Sequence, residues 1–123
     1  KTINEKKNCY SNSGKLKIEK DPIEWAKEME QAGCGEILFT SIDQDGTLEG
    51  YDVVGIKKLS KSVKIPIIAS GGAGNFKDFI FLFKNLDISG AAAASIFHFT
   101  EITPKLIKNQ LAKNNILVRD MYI

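Results

Sequence analysis

Histidine and cysteine are nearly missing from this chain: His98 is its one histidine, and Cys9 and Cys34 are its two cysteines. Thiols with no second ligand at a metal-binding spacing do not make a zinc module. Two are also too few to staple a secreted domain, so they read as reduced thiols of a cytoplasmic protein. With neither a metal-ligand cluster nor a nucleotide-binding signature, no metal or cofactor is expected. An excess of one charge is lacking too. The 17 basic residues are spread among 15 acidic ones for a net charge of +2, so no one-signed field can hold nucleic acid by counterion release. Long hydrophobic runs are absent: Ala91 to Ala94 is broken by Ser95 before Ile96 and Phe97, far short of the roughly 20 residues of a membrane span. The first residues are polar and lysine-bearing with no apolar signal core, so Lys1 reads as an internal point of a longer protein.

What is present is the composition of one ordinary globular domain, 43% hydrophobic and 26% charged, with no linker or low-complexity tract from residue 1 to 123. Three short continuous apolar runs, Glu36 to Ser41, Ile65 to Ser70 and Gly90 to Ala94, predict strands buried on both faces, as in parallel sheets covered by helices. The alanine run taken alone is equally a helix. Its place in the repeat decides for strand, because starts at 36, 65 and 90 leave room each time for a loop, a helix and a return.

The intervening segments carry helix signals. Asp21-Pro22-Ile23-Glu24 offers a capping Asp, a Pro at the first helical position and a Glu placed to reach back to the free amides. Ile23, Ala26 and Met29 follow at helical spacing, and Gly33 closes the segment. Asp52 opens a second helix with Val53, Ile56, Leu59 and Val63 on one face. Asn75 opens a third with an apolar stripe of Phe76, Phe79, Ile80 and Phe83. Thr103-Pro104 opens a fourth, with Leu106, Ile107 and Leu111 facing inward. Ahead of these, Lys7 to Ile18 reads as a small hairpin turning over Ser11 to Gly14. The pattern is a half-barrel: three strand-helix units cannot close eight strands, which need at least about 200 residues. Its exposed parallel edges predict self-association or pairing with a missing half.

Glycine and polar residues gather just past each strand's carboxyl end: Asp43 to Thr47, Gly71 to Gly74, and Ser95. In barrels and open α/β sheets that face carries the site. Gly71 and Gly72 lack side chains, so backbone amides there can approach an anion closely, and the helix opening at Asn75 adds unpaired amides with a favourable dipole. Ser95 can donate a hydroxyl, and Ala94-Ser95-Ile96 can open the short extra helix that often completes a phosphate site. Together these predict a phosphate cradle, although the glycine pair alone equally makes a tight strand-to-helix turn. Asp45 can orient a substrate hydroxyl or move a proton, or serve only as the first residue of an Asp-Gly turn. Asp43 reads as a loop or capping residue. Thr40 can point a hydroxyl into the site or simply pack in its strand. His98, between Phe97 and Phe99, reads as structural rather than as a base.

Several long motifs in order then carry a resemblance: Gly35-Glu-Ile-Leu-Phe-Thr-Ser-Ile-Asp-Gln-Asp-Gly-Thr47, Gly50-Tyr-Asp52, Ile65-Pro-Ile-Ile-Ala-Ser-Gly-Gly-Ala-Gly74 and Ala93-Ala-Ser-Ile-Phe-His-Phe99. From about Ser13 to Arg119 the chain resembles the second half of the cyclase subunit of imidazole glycerol phosphate synthase. The resemblance implies the carboxy-terminal half of a (β/α)8 TIM barrel, an α/β fold. It implies a lyase of histidine biosynthesis, in which ammonia from a glutaminase partner and a phosphoribulosyl-formimino ribonucleotide give imidazole glycerol phosphate and an aminoimidazole carboxamide ribonucleotide. The substrate carries two phosphates. Positions matching the second phosphate site are Gly72, Ala94 and Ser95, with Asp45, Gly46 and Ser70 lining the substrate beside it, and Glu36 matches a charged residue of the ammonia gate. The family's two acid/base aspartates fall outside these residues, so this half is expected to bind phosphate without turning over substrate.

Three alternatives stay open. A relative of the cyclase amidates a surface sugar with glutaminase-derived ammonia; the histidine enzyme is favoured because Ser95 to Phe99, the long final helix and Val118-Arg119 follow its ending. A non-enzymatic phosphate-binding module with an open flavodoxin-like sheet is the second, and a purely structural fragment the third.

Overall fold

Asn12, Ser13 and Gly14 take φ values of +50°, +56° and +81°. In the computed structural model, which describes residues 1–3 and 6–119, this left-handed turn folds β3 (Cys9–Ser11) back on β4 (Leu16–Ile18) as an antiparallel hairpin. The expected hairpin is there, preceded by a second small antiparallel pair, β1 (Thr2–Ile3) with β2 (Lys6–Lys7), that no sequence signal announced.

Helix α1 (Pro22–Gln31) starts as expected: the Asp21 carboxylate accepts hydrogen bonds from the amides of Ile23 at 2.9 Å and Glu24 at 3.2 Å. Glu24 does not reach back to complete a box. It accepts instead from Lys27 Nζ at 2.8 Å. Only Ala26 of this helix is buried, and Met29 is 39% exposed rather than packed inward. The reason is positional: Trp25 and Met29 border a wide cavity beside β5 (Ile37–Thr40), where among the described residues no further strand extends the sheet.

Strands β5, β6 (Ile67–Ser70) and β7 (Gly90–Ala92) form a parallel sheet in that order, with Leu38 opposite Ile68 opposite Gly90, and Thr40 opposite Ser70 opposite Ala92. The alanine run is therefore a strand at its start. One face of the sheet is covered: Ile37, Phe39, Ile67 and Ala69 pack against the helices. The other is not. Leu38 is 60% exposed and Thr40 is exposed, which corrects the expectation of strands buried on both faces. Side chains alternate along a strand, so the second row needs an opposing layer that these three strands do not supply.

Helix α2 (Val53–Ser60) buries Ile56 and Leu59, and α3 (Phe76–Asn85) buries Phe79 and Leu82. Leu82 rather than the flanking phenylalanines is the fully enclosed residue of α3; Phe76, Ile80 and Phe83 are only half-buried. The full capping box belongs to α3. Asn75 accepts from the Lys77 amide at 2.8 Å, and Asp78 accepts from the amides of Gly74 and Asn75 at 2.8 and 3.0 Å. The expected short helix follows β7 as α4 (Ser95–Phe99), with Ile96 enclosed in the core. Helix α5 (Pro104–Lys113) buries Ile107 and Leu111 beside α3, while Leu106 is 45% exposed rather than inward. Among the described residues no helix is long and apolar enough to cross a membrane.

Candidate functional site

Because the three strands are parallel and in register, Thr40, Ser70 and Ala92 stand in one row at their carboxyl ends. Each strand leaves that row through a loop, and the loops touch. The Asp45 amide donates to the Ser41 carbonyl at 2.9 Å, turning the first loop back, and the Gly50 amide donates to the Gly72 carbonyl at 2.7 Å, tying the first loop to the second.

The glycines are what make this contact possible. Gly71 and Gly72 sit at φ +94° and +107°, which L side chains rarely adopt. A Cβ at Gly71 would lie 2.7 Å from the Ser41 carbonyl oxygen; one at Gly72 would land on the Gly50 carbonyl, and one at Gly74 on that of Leu48. So the second loop is glycine-rich first of all because the first loop lies directly against it.

Between the loops and the end of β7 is a cavity of about 200 Å³. Asp45, Gly46, Ser70, Gly71, Gly72, Ala94 and Ser95, singled out from sequence, all line it, joined by Leu48, Ala73, Ala92 and Ala93. Thr40 and Glu36 do not. They line the wider cavity of about 740 Å³ between β5, α1 and the hairpin, a space that Asp45 also borders. Among the described residues lining the smaller cavity, Asp45 is the one charged group. Its described lining holds no lysine or arginine, and offers backbone and the Ser95 hydroxyl instead. Helix α4 fits this: Ala94 at its N-cap makes no side-chain hydrogen bond, whereas Asp21, Asp52, Asn75 and Thr103 cap the other four helices.

The surroundings are fixed by polar side chains whose distant partners no sequence pattern showed. Asp52 caps α2 by accepting from the Gly55 amide at 2.9 Å, and its other oxygen pairs with Lys7 of β2. Asp43 accepts from the Thr2 amide at 2.6 Å; slight burial pushes its carboxyl up, but hydrogen bonding from Thr2 and the positive charges at Lys1 together outweigh it and hold the group below its ordinary value. Tyr51 is buried and donates its hydroxyl to the Ala92 carbonyl at 3.0 Å. Burial first, and the nearby Asp78 charge second, push its phenol above the usual range. Its partner is 41 residues away, a contact no local pattern encodes. His98 is exposed and lies outside both cavities, so it is not the packed residue that its place between Phe97 and Phe99 suggested.

Comparison with known proteins matches a family model described as "Histidine biosynthesis protein" over residues 2–103. The chain belongs to that family. The family is built on the TIM barrel, and the parallel strand-helix units described above are units of that fold. Among curated relatives, the imidazole glycerol phosphate synthase subunit HisF of Hydrogenobaculum sp. (strain Y04AAS1) is 50% identical over 110 residues, 89% of this chain and 44% of that protein. The subunit of the same name from Bacillus cereus (strain G9842) is 46% identical over 119 residues, 97% of this chain and 47% of that protein. That of Clostridium botulinum (strain Langeland / NCTC 10281 / Type F) is 47% identical over 112 residues, 91% and 44%. The chain thus spans less than half the length of the curated relatives it matches.

Proposed function

We propose that this chain is the phosphate-gripping, carboxy-terminal half of a cyclase of histidine biosynthesis. The whole enzyme takes ammonia from a glutaminase partner and a phosphorylated formimino ribonucleotide to imidazole glycerol phosphate and an aminoimidazole carboxamide ribonucleotide. One observation carries the reading: seven residues picked for that chemistry, Asp45, Gly46, Ser70, Gly71, Gly72, Ala94 and Ser95, line a single small cavity at the carboxyl ends of three parallel strands. The relatives' name, a synthase subunit, supports a multi-subunit enzyme.

In this reading the amides of the glycine loop and the start of α4, with the Ser95 hydroxyl, surround one phosphate ester as neutral dipoles. Asp45 at the rim accepts a hydrogen bond from a hydroxyl of the same substrate and so orients it. Thr40 and Glu36 belong to the wider cavity, Glu36 at the amino-terminal end of β5, where ammonia would enter. The acid/base aspartates are supplied from outside these 123 residues, so the chain alone binds without turnover. The uncovered row of Leu38 and Ile68 is covered by the rest of the barrel or by a second copy.

The test is an assay of the full-length protein with ammonium salt and the ribonucleotide, beside the chain alone. Product from the former and none from the latter supports the reading. A full-length protein that binds the ribonucleotide yet forms no imidazole product, or that amidates a sugar instead, replaces it.

A further inference from the structure

Residues 50 and 51 reach both other loops of the site from a single point of the chain. Gly50 donates its amide to Gly72, and Tyr51 sends its side chain across to the end of β7, where the hydroxyl donates to the Ala92 carbonyl at 3.0 Å. The ring is held edge-on by Phe79, with centroids 5.7 Å apart and planes at 82°. At 6% exposure, Tyr51 has little room to choose another partner. Ala92 begins the stretch that lines the small cavity and ends at Ser95. Strand β7, like β5, is an edge strand of this sheet, hydrogen-bonded on one side only among the described residues.

We infer that Tyr51 is a positioning residue for this cavity, its hydroxyl holding the Ala92 carbonyl and thereby fixing residues 92–95 against the loop of Gly71 and Gly72. It touches no ligand itself. The ring packs the core while the hydroxyl sets the height of the segment that carries Ser95, and the two roles are separable because Tyr51→Phe removes only the second. This rests on the phosphate reading for its consequence, not for its geometry.

The experiment measures inorganic phosphate affinity, melting temperature and backbone amide resonances for the unaltered chain, Tyr51→Phe and Ile107→Val. The last is a core change in α5, away from the cavity. Tyr51→Phe should weaken phosphate binding roughly 3- to 10-fold, the scale of one hydrogen bond, and speed hydrogen exchange at Ala93 to Ser95. Ile107→Val should lower the melting temperature comparably while changing the phosphate Kd less than about 2-fold. Equal affinities for Tyr51→Phe and the unaltered chain, with unmoved resonances from 92 to 95, overturn the inference. If the unaltered chain itself binds no phosphate, the phosphate reading fails. The positioning role is then judged on the exchange of Ala93 to Ser95 alone, supported by faster exchange in Tyr51→Phe and overturned by none.

Discussion

The Gly50 amide and the Gly72 carbonyl meet at 2.7 Å, and no side chain can be added at Gly72 without striking the Gly50 carbonyl. Two loops from neighbouring strands are therefore locked backbone to backbone, and the cavity is the space their joint leaves open.

That lock can be weighed against plain backbone strain. Gly72 and Gly33 both have strongly positive φ, +107° and +94°, but nothing lies within 4 Å of a Cβ at Gly33. Gly33→Ala should cost about 1 kcal/mol, the strain of a left-handed alanine. Gly72→Ala should cost at least about 1 to 3 kcal/mol more, because the loops must separate. Denaturant unfolding of both variants measures the difference; equal losses would show that the loop contact yields freely.

Asp52 joins β2 to the start of α2 through two different bonds, and variants divide them. Asp52→Ala loses both the cap and the partner of Lys7, with an expected loss of about 1 to 2 kcal/mol. Asp52→Asn keeps the cap and loses the ion pair, which should cost under about 1 kcal/mol at moderate salt. Chemical denaturation reads the difference, which is the cap alone; equal losses for the two variants would show that the cap contributes nothing.

Much of this was legible in the sequence. The βα alternation, four of the five helix starts and the hairpin turn follow from capping residues and apolar spacing, signals that act within a few residues. The loop glycines were legible as well, though for an incomplete reason: an anion was read from them, and the structure adds that Gly71, Gly72 and Gly74 admit carbonyls of the neighbouring loop. What stayed hidden depends on partners far along the chain. Tyr51 bonds across 41 residues, Lys7 across 45 and Thr2 across 41. The exposure of Met29, Leu38 and Leu106 was hidden for a related reason, since periodicity says which face is apolar but not whether anything lies against it.

The buried phenol of Tyr51 gives a pH signature. Its pKa is raised in the fold above the ordinary value of about 10. Below that ordinary value both the folded and unfolded chains keep the proton. Above it the unfolded chain ionises first, so stability from this group is lost as pH rises. The melting-temperature advantage of the unaltered chain over Tyr51→Phe should be constant from pH 7 to 9 and shrink above about pH 10. A gap that stays constant into that range would show the phenol free to ionise in place.

Asp45 borders the smaller cavity, and among the described residues that line it no other is charged. Removing that charge should help a bare anion and harm a substrate that offers it a hydroxyl. Asp45→Asn is expected to tighten inorganic phosphate binding by roughly 2- to 10-fold at low salt, an effect that fades as salt screens it. The same variant should gain less, or lose affinity, for a polyhydroxy phosphate ester. Parallel calorimetric titrations separate the two.

The central claim, that this cavity holds a phosphate through backbone amides and the Ser95 hydroxyl, is tested most directly by titrating the chain with inorganic phosphate at constant ionic strength. Melting temperature and amide resonances are followed together. At ten times Kd the account predicts roughly 1.4 kcal/mol of added stability, a rise of several degrees, with shifts at Gly71, Gly72 and Ser95 and a weaker response in Ser95→Ala. An unchanged melting temperature with those three amides unmoved would contradict it.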